Sequence, residues 1–291
     1  MIATKEESIL YNLSADDYHA ADGASASRLN LLHRSPAHLK HGLENPTRPT
    51  RAMIIGSAVH SAILEPFLFD VEYGRLPDGD GRSKKVRDAR EELLETVPAD
   101  RILKASEYDT VVAMRDSVLS HPIVSGILSA GHHAEASAFW GDPITDVACK
   151  ARIDILPNQD TRFGNAIIDL KTTQDASRRE FSRNVHLRGY YRQAAHYLNG
   201  INYLEGYEGD DDGPGGRDRF LFICVERSAP YCVALYELDE ATISAGQAEV
   251  RGLMGYWKYC HANDTWPGYT PESGHEHLTI PKIGLPAWAQ S

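Results

Sequence analysis

The run IIDLKTT, residues 167–173, places an aspartate and a lysine inside a segment that otherwise has strand character. β-Branched and apolar residues favour a buried strand, and buried strands rarely contain charged side chains. Asp169 and Lys171 are two residues apart, so their side chains leave a strand on the same face. The run therefore predicts either an ion pair at the end of a sheet or the centre of an active site. The tripeptide Asp169-Leu170-Lys171 alone is compatible with both.

Two further runs with strand character precede this one, EASAFWGD at 135–142 and ITDVACKARIDILP at 144–157, and turn sequences separate the three. We expect an antiparallel meander in which Asp154 and Asp169 meet at one end of the sheet. Two carboxylates that close repel each other unless a cation lies between them. Oxygen ligands suit Mg²⁺, for which Mn²⁺ can substitute. Lys171 would then orient water or the scissile phosphate in phosphodiester hydrolysis.

Helical periodicity dominates the rest of the chain. The expected elements are two short helices broken at Pro36, a helix that carries His60 and ends near Pro66, a loop at 76–85, and helices at 86–97, 107–128, 189–204 and 241–262. A basic connection at 174–188 and a hairpin at 219–239 complete the pattern. The proline- and aromatic-rich tail is expected to pack back on the body.

The distribution of charge matters more than its sum. A formal net charge of −11 argues against a nucleic-acid partner, because phosphate binding usually leaves a basic surface. Residues 162–192, however, contain seven Lys/Arg and three Asp/Glu, whereas 205–213 contain five acids and no base. The basic segment indicates either a solvated face or a DNA contact. The arginines expected to contact DNA are Arg178, Arg179, Arg183, Arg188 and Arg192.

Other classes of protein are disfavoured by what the sequence lacks. It has no basic segment followed by an apolar run at its start, and no stretch near the roughly 20 apolar residues of a membrane span. Its four cysteines, Cys149, Cys224, Cys232 and Cys260, are widely spaced without a C-x-x-C pair. This spacing favours reduced thiols over a disulfide framework or a zinc site. We expect a soluble, cytoplasmic protein with no membrane association.

Asp154, the sequence Asp169-Leu170-Lys171 and an upstream helix with His60 together resemble the PD-(D/E)XK nuclease superfamily. One departure is Ile153, which stands where the superfamily name has proline. The resemblance implies an α/β fold with a restriction-endonuclease-like core, in which helices flank a mixed central β-sheet, and an N-terminal helical elaboration. Its implied divisions are a single domain over 1–291, with a mainly helical portion at 1–130, a catalytic core at 131–260 and a tail at 261–291.

The helix GYYRQAAHY narrows the resemblance, because Gln193 and Tyr197 match the Q-x-x-x-Y signature of the RecB-like branch. The whole chain is similar to RecE-type exonucleases (exonuclease VIII) of phages and prophages. The similarity extends from YHAADGASASRLNLLHRSPAHLKHG, near the start, to the WPGY and LPAW elements.

The resemblance implies a role for each matched residue. The metal ligands would be His60, Asp154, Asp169 and the carbonyl of Leu170, and the catalytic lysine would be Lys171. Gln193 and Tyr197 would support the site and contact the substrate backbone. Glu135, at the start of the strand before Asp154, is a candidate for a further acid in the metal site. The residues themselves leave two alternatives open. A lone helical histidine such as His60 also suits a hydrogen-bonded core position, and Glu135 also suits an exposed strand end.

The function that the resemblance implies is Mg²⁺-dependent digestion of linear double-stranded DNA from its ends, 5′ to 3′, by water without a covalent intermediate. The product would be 3′ single strands for a single-strand annealing protein in recombination, and the enzyme would form a homo-oligomeric ring around DNA. The alternatives are an endonuclease of restriction or repair type, and a nonenzymatic module that binds DNA or a protein partner on the same fold.

Overall fold

A computed structural model describes residues 7–46, 48–207, 216–269 and 283–284. In these residues the strands are β1 (Ser8–Leu10), β2 (Gly74–Arg75), β3 (Ile102–Leu103), β4 (His132–Gly141), β5 (Ala148–Pro157), β6 (Ala166–Thr173), β7 (Arg219–Glu226) and β8 (Val233–Glu237). The helices are α1 (Ala15–Ala20), α2 (Ala26–Arg34), α3 (Pro36–Glu44), α4 (Arg51–Leu64), α5 (Pro66–Glu72), α6 (Lys84–Leu93), α7 (Ala105–Ser120), α8 (Pro122–Ser129), α9 (Arg178–Leu187), α10 (Tyr190–Leu204) and α11 (Glu240–Asn263).

A six-stranded mixed sheet in the order β1-β4-β5-β6-β7-β8 forms the centre of the fold. Its neighbours are antiparallel except β6 and β7, which are parallel and are connected by α9 and α10. The sequence explains most of this arrangement, because the parallel pair requires a long crossover, whereas short connections join β4 to β5, β5 to β6 and β7 to β8. The expected mixed α/β fold, the meander of β4 to β6 and the β7–β8 hairpin are all confirmed.

Helices cover both faces of this sheet. On one face α10 and α11 bury residues such as Leu198 and Met254 in a core with α2. On the other face α4 and α7 bury residues such as Val59 and Met114. Because the central strands are covered on both sides, their runs are apolar nearly throughout, as the sequence indicates. The charged residues in these strands therefore stand out as exceptions.

Two expectations about helices were wrong. The helix expected at 107–128 is two helices, because Pro122 lacks an N–H donor and restricts the residue before it, so that α7 ends at Ser120. The basic segment after β6, expected to be only a connection, contains α9, whose first turn is capped by the Ser177 side chain. The break at Pro36 and the end of α4 near Pro66 are confirmed.

Some expectations fall outside the described residues. These include the LPAW element, most of the tail and most of the acidic stretch after residue 207. In the described part of the chain, no helix combines the length and the apolar character that a membrane crossing requires.

Candidate metal centre

The regular alternation of side chains between the two faces of the sheet is interrupted at Glu135 in β4 and at Asp154 in β5. In a regular strand, residues two apart share a face. The register pairs Ala134 with Ile155 and Ala136 with Ile153. Yet the first pair packs in the core beneath α4 and the second in the core beneath α10. Glu135 stands opposite Asp154 at this irregularity and has φ +50°, in the left-handed region that non-glycine residues rarely adopt. Strained backbone of this kind concentrates at functional sites.

The side chains of Glu135 and Asp154 meet His60 from α4. The Nδ1 atom of His60 lies 3.5 Å from Asp154 Oδ2 and 3.7 Å from Glu135 Oε1, and a ligand atom from each of the three lies within 4.8 Å of the others. Burial lowers the pKa of His60, but the two carboxylates outweigh it and raise that pKa to about 10. The imidazole therefore carries a proton where a metal ion would otherwise neutralise the two acids.

Arg152 fixes the second oxygen of Glu135. Its Nε donates to Glu135 Oε2 at 2.6 Å, and its Nη1 donates to the carbonyl of Leu13 at 2.9 Å and to Ser137 Oγ at 3.0 Å. The arginine thus leaves Oε1 directed at His60. Sequence reasoning missed Arg152, although its place two residues before Asp154 indicates a neighbouring position.

Asp169 lies on the strand next to Asp154. Ile155 pairs with Ile168, so the antiparallel register sets Asp154 opposite Asp169. Asp154 Oδ2 also accepts a 2.7 Å hydrogen bond from the backbone N–H of Leu170. The N–H and C=O of one residue in an extended strand point to the same side, so the carbonyl of Leu170 faces the same side as Asp154.

Asp169 and Lys171 form a buried pair that Gln193 bridges. Lys171 Nζ lies 2.5 Å from Asp169 Oδ2 and donates to Gln193 Oε1 at 3.2 Å, while Gln193 Nε2 donates to Asp169 Oδ1 at 2.6 Å. Burial raises the pKa of Asp169 to about 6, with Lys171 opposing and Asp154 adding to the shift. Burial lowers the pKa of Lys171, but Asp169 and Asp154 outweigh it, so the pKa is raised and the ammonium stays charged.

The donor atoms suit a hard divalent cation. Within the described residues, no donor makes a well-aligned hydrogen bond to the buried Asp169 Oδ2, although the Lys171 ammonium is close. A buried carboxylate oxygen without such a bond is costly unless an ion or water completes its surroundings. His60, Glu135 and Asp154 form a neighbouring cluster of one imidazole and two carboxylates that does not include Asp169, and the backbone N–H of Leu170 links Asp154 to the strand of Asp169. These ligands fit Mg²⁺ or Mn²⁺.

Two tyrosines of α10 lie at different depths. Tyr197 is 8% exposed, and its ring packs in the core with a centroid 6.3 Å from that of Phe220, so its expected contact with a substrate backbone stays a prediction. The ring of Tyr190 lies over Lys171, with the ammonium 4.8 Å from the ring centroid. Sequence reasoning missed Tyr190, although its spacing of three from Gln193 indicates the same helix face.

The predicted DNA-contacting arginines divide into two groups. Arg178, Arg179 and Arg183 on α9, and Arg188 after it, are exposed. Arg192, by contrast, is 5% exposed, and its guanidinium donates to Glu249 Oε2 at 2.8 Å and to Asn30 Oδ1 at 3.0 Å. A buried cation needs such partners, and they hold Arg192 inside the fold. The expectation that Arg192 belongs to the exposed basic surface was therefore wrong.

Comparison with known proteins shows the family and the fold of this chain. The model of a family described as "PDDEXK-like domain of unknown function (DUF3799)" matches residues 25–277. A crystal structure of a "Putative exonuclease" from Eubacterium rectale is similar over 96% of this chain and 98% of that chain, with a TM-score of 0.59 and 12% sequence identity. At this identity the similarity shows a shared fold. No curated protein matches the sequence.

Proposed function

We propose, on the premise that the chain belongs to the PDDEXK-like family (DUF3799), that it is a metal-dependent nuclease that digests linear double-stranded DNA from its ends. One observation carries this proposal. Within the central sheet, the cluster of His60, Glu135 and Asp154 adjoins the buried pair of Asp169 and Lys171. Acids that hold a divalent cation beside a charged lysine are suited to phosphodiester hydrolysis.

The metal ligands in this proposal are His60, Glu135, Asp154, Asp169 and the Leu170 carbonyl. A divalent cation held there supplies charge neutralisation at the scissile phosphate and lowers the pKa of the attacking water. Mg²⁺ is the proposed ion, with Mn²⁺ as a substitute that also accepts the imidazole nitrogen of His60. Arg152 orients the ligand Glu135, as outer-shell partners of metal ligands commonly do.

Lys171 and Gln193 act on the substrate side of the proposed site. The raised pKa of Lys171 keeps its ammonium charged, so it can orient water or stabilise charge that develops on the phosphate. Gln193 binds both Asp169 and Lys171, and it therefore sets the distance between acid and cation. In-line attack by water then needs no covalent intermediate.

The finer features of the proposal rest on the resemblance to RecE-type exonucleases. They are attack on DNA ends with 5′ to 3′ direction, 3′ single-stranded products for an annealing protein, a ring-shaped homo-oligomer, and action in the cytoplasm. The exposed Arg178, Arg179, Arg183 and Arg188 would contact the DNA backbone. The description of the Eubacterium rectale protein as an exonuclease supports attack at ends.

A linear duplex and a covalently closed circle, each incubated with Mg²⁺, test this function. We expect the linear DNA to lose nucleotides from its ends while the circle stays intact. Cutting of the circle would instead support the endonuclease alternative, and inertness toward both would support a binding module. Duplexes labelled at the 5′ or the 3′ end give the direction, and EDTA with the Asp154→Asn variant controls for a contaminating nuclease.

A further inference from the structure

The ammonium group of Lys171 is held on three sides. Asp169 Oδ2 lies 2.5 Å away, Gln193 Oε1 lies 3.2 Å away, and the ring centroid of Tyr190 lies 4.8 Å away. We propose that Tyr190 is a positioning residue for Lys171, whose aromatic face holds the ammonium in place for catalysis. This inference rests on the proposed nuclease function, in which Lys171 acts on the phosphate.

The start of α10 places this ring. Gly189 precedes the helix with φ +65°, and a Cβ atom there would come within 2.4 Å of both Arg192 Nη2 and Asn30 Oδ1. The positive φ and these close approaches therefore favour glycine at this corner. Tyr190 then occupies the first helical position and Gln193 the fourth, so both side chains reach the same ammonium from one helix face.

The ring is also supported from behind. Its centroid lies 5.7 Å from that of Phe222 on β7 and 6.1 Å from that of Phe181 on α9. These aromatic neighbours fix the plane of Tyr190. Filling the core is thus one role of the residue, and attraction between its π-face and the ammonium is a second role that depends on the electrons of the ring.

The two roles have different consequences for the reaction. Loss of packing reduces stability, whereas loss of the cation–π contact lets Lys171 leave its position and slows the chemical step. The second effect leaves the affinity for DNA and for the metal ion unchanged, because Asp169 and Gln193 remain. A cation–π contact of ordinary strength corresponds to about a three- to thirty-fold change in kcat.

Fluorinated phenylalanines separate these roles, because each fluorine weakens the π-face with little change in shape. Tyr190→Phe keeps the aromatic face and is the reference for this series. Relative to that reference, we expect phenylalanines with one, two and three fluorines at 190 to lower kcat stepwise, with unchanged KM for DNA and unchanged Mn²⁺ affinity. The same series at Phe181, which packs against the Tyr190 ring, is the matched control and should leave kcat unchanged. A flat response at 190, an equal response at 181, or an inactive Tyr190→Phe protein would overturn the proposal.

A measurement that is independent of activity separates this inference from the proposed function. The ring current of Tyr190 should shift the NMR signals of the Lys171 ε-methylene upfield in the wild-type and Tyr190→Phe proteins, and Tyr190→Leu should remove the shift. If the shift is present and DNA stays intact, the nuclease proposal has failed while the contact stands. Absence of the shift in the wild-type protein would contradict the positioning role itself.

Discussion

Asp154 and Asp169 stand opposite each other on adjacent antiparallel strands, yet their side chains contact helices on opposite faces of the sheet. Asp154 meets His60 of α4, and Asp169 meets Gln193 of α10. The site is therefore assembled from both helical layers at the point where β4 and β5 depart from regular pleating. Its geometry depends on the packing of both cores, as well as on the strand that carries the acid and lysine.

Asp169→Asn should abolish digestion, with a rate at least about 10³-fold below wild type, because a metal ligand and the charge partner of Lys171 are lost together. The raised pKa of Asp169 makes its ionised form unfavourable for folding as pH rises through about 6. In the variant, the free energy gained by removing the buried charge offsets the free energy lost with the ion pair of Lys171. The raised pKa already includes the attraction of Lys171, so we expect the free energy of unfolding in EDTA at pH 7.5 to be no lower than that of wild type. Single-turnover digestion and urea unfolding test both parts, and an active, folded variant would contradict the role.

Arg152→Met should destabilise the metal-free protein by about 2 kcal/mol, because it leaves Glu135 with one buried oxygen unpaired while His60 still faces the other. The additional change Glu135→Gln removes the unpaired carboxylate and should recover much of the lost stability. Urea unfolding in EDTA of both single variants and the double variant gives the coupling free energy. Additive effects would show that the two side chains do not interact.

Replacing Arg178, Arg179 and Arg183 together by glutamine should weaken DNA binding and reduce its dependence on salt. Each arginine that neutralises a phosphate contributes about 0.9 to the slope of log K against log salt. Stability should not change, because these side chains are exposed. The matched control is Arg192→Gln, which should lower stability and keep the salt slope, since it removes a buried guanidinium that pairs with the partly exposed Glu249. Anisotropy titrations in EDTA measure the slopes. Equal slopes for wild type and the triple variant would show that the arginines of α9 do not contact DNA.

His196 should make the folded protein sensitive to acid. Burial lowers its pKa to about 4, although hydrogen bonds to the backbone of Lys150 and Ala24 oppose the shift. His196 therefore becomes protonated near pH 6.5 in the unfolded chain but only near pH 4 in the folded protein. The free energy of unfolding falls as pH decreases through this window. The loss reaches up to about 3 kcal/mol. His196→Gln removes the titration and should flatten the unfolding free energy between pH 7 and 4.5, and an equally steep fall in both proteins would rule out this cause.

The sequence predicted the strands, their order in the meander and the opposition of Asp154 and Asp169, because alternation and turn residues are local signals. The residues that contact these acids and Lys171 were harder to predict from the sequence. Arg152 and Tyr190 are ordinary strand and helix residues until the fold brings them to Glu135 and Lys171. Arg192 was misjudged because charge density along the chain does not reveal which charged side chain the fold buries.

Anomalous scattering from crystals soaked in Mn²⁺ measures most directly whether these residues form a metal centre. We expect a peak within about 2.3 Å of carboxylate oxygens of Asp154 and Asp169, near His60 and the Leu170 carbonyl, and we expect the Asp154→Ala protein to lose it. A wild-type crystal with no peak beside these residues, or with its peak held by other residues, would contradict the proposed nuclease site.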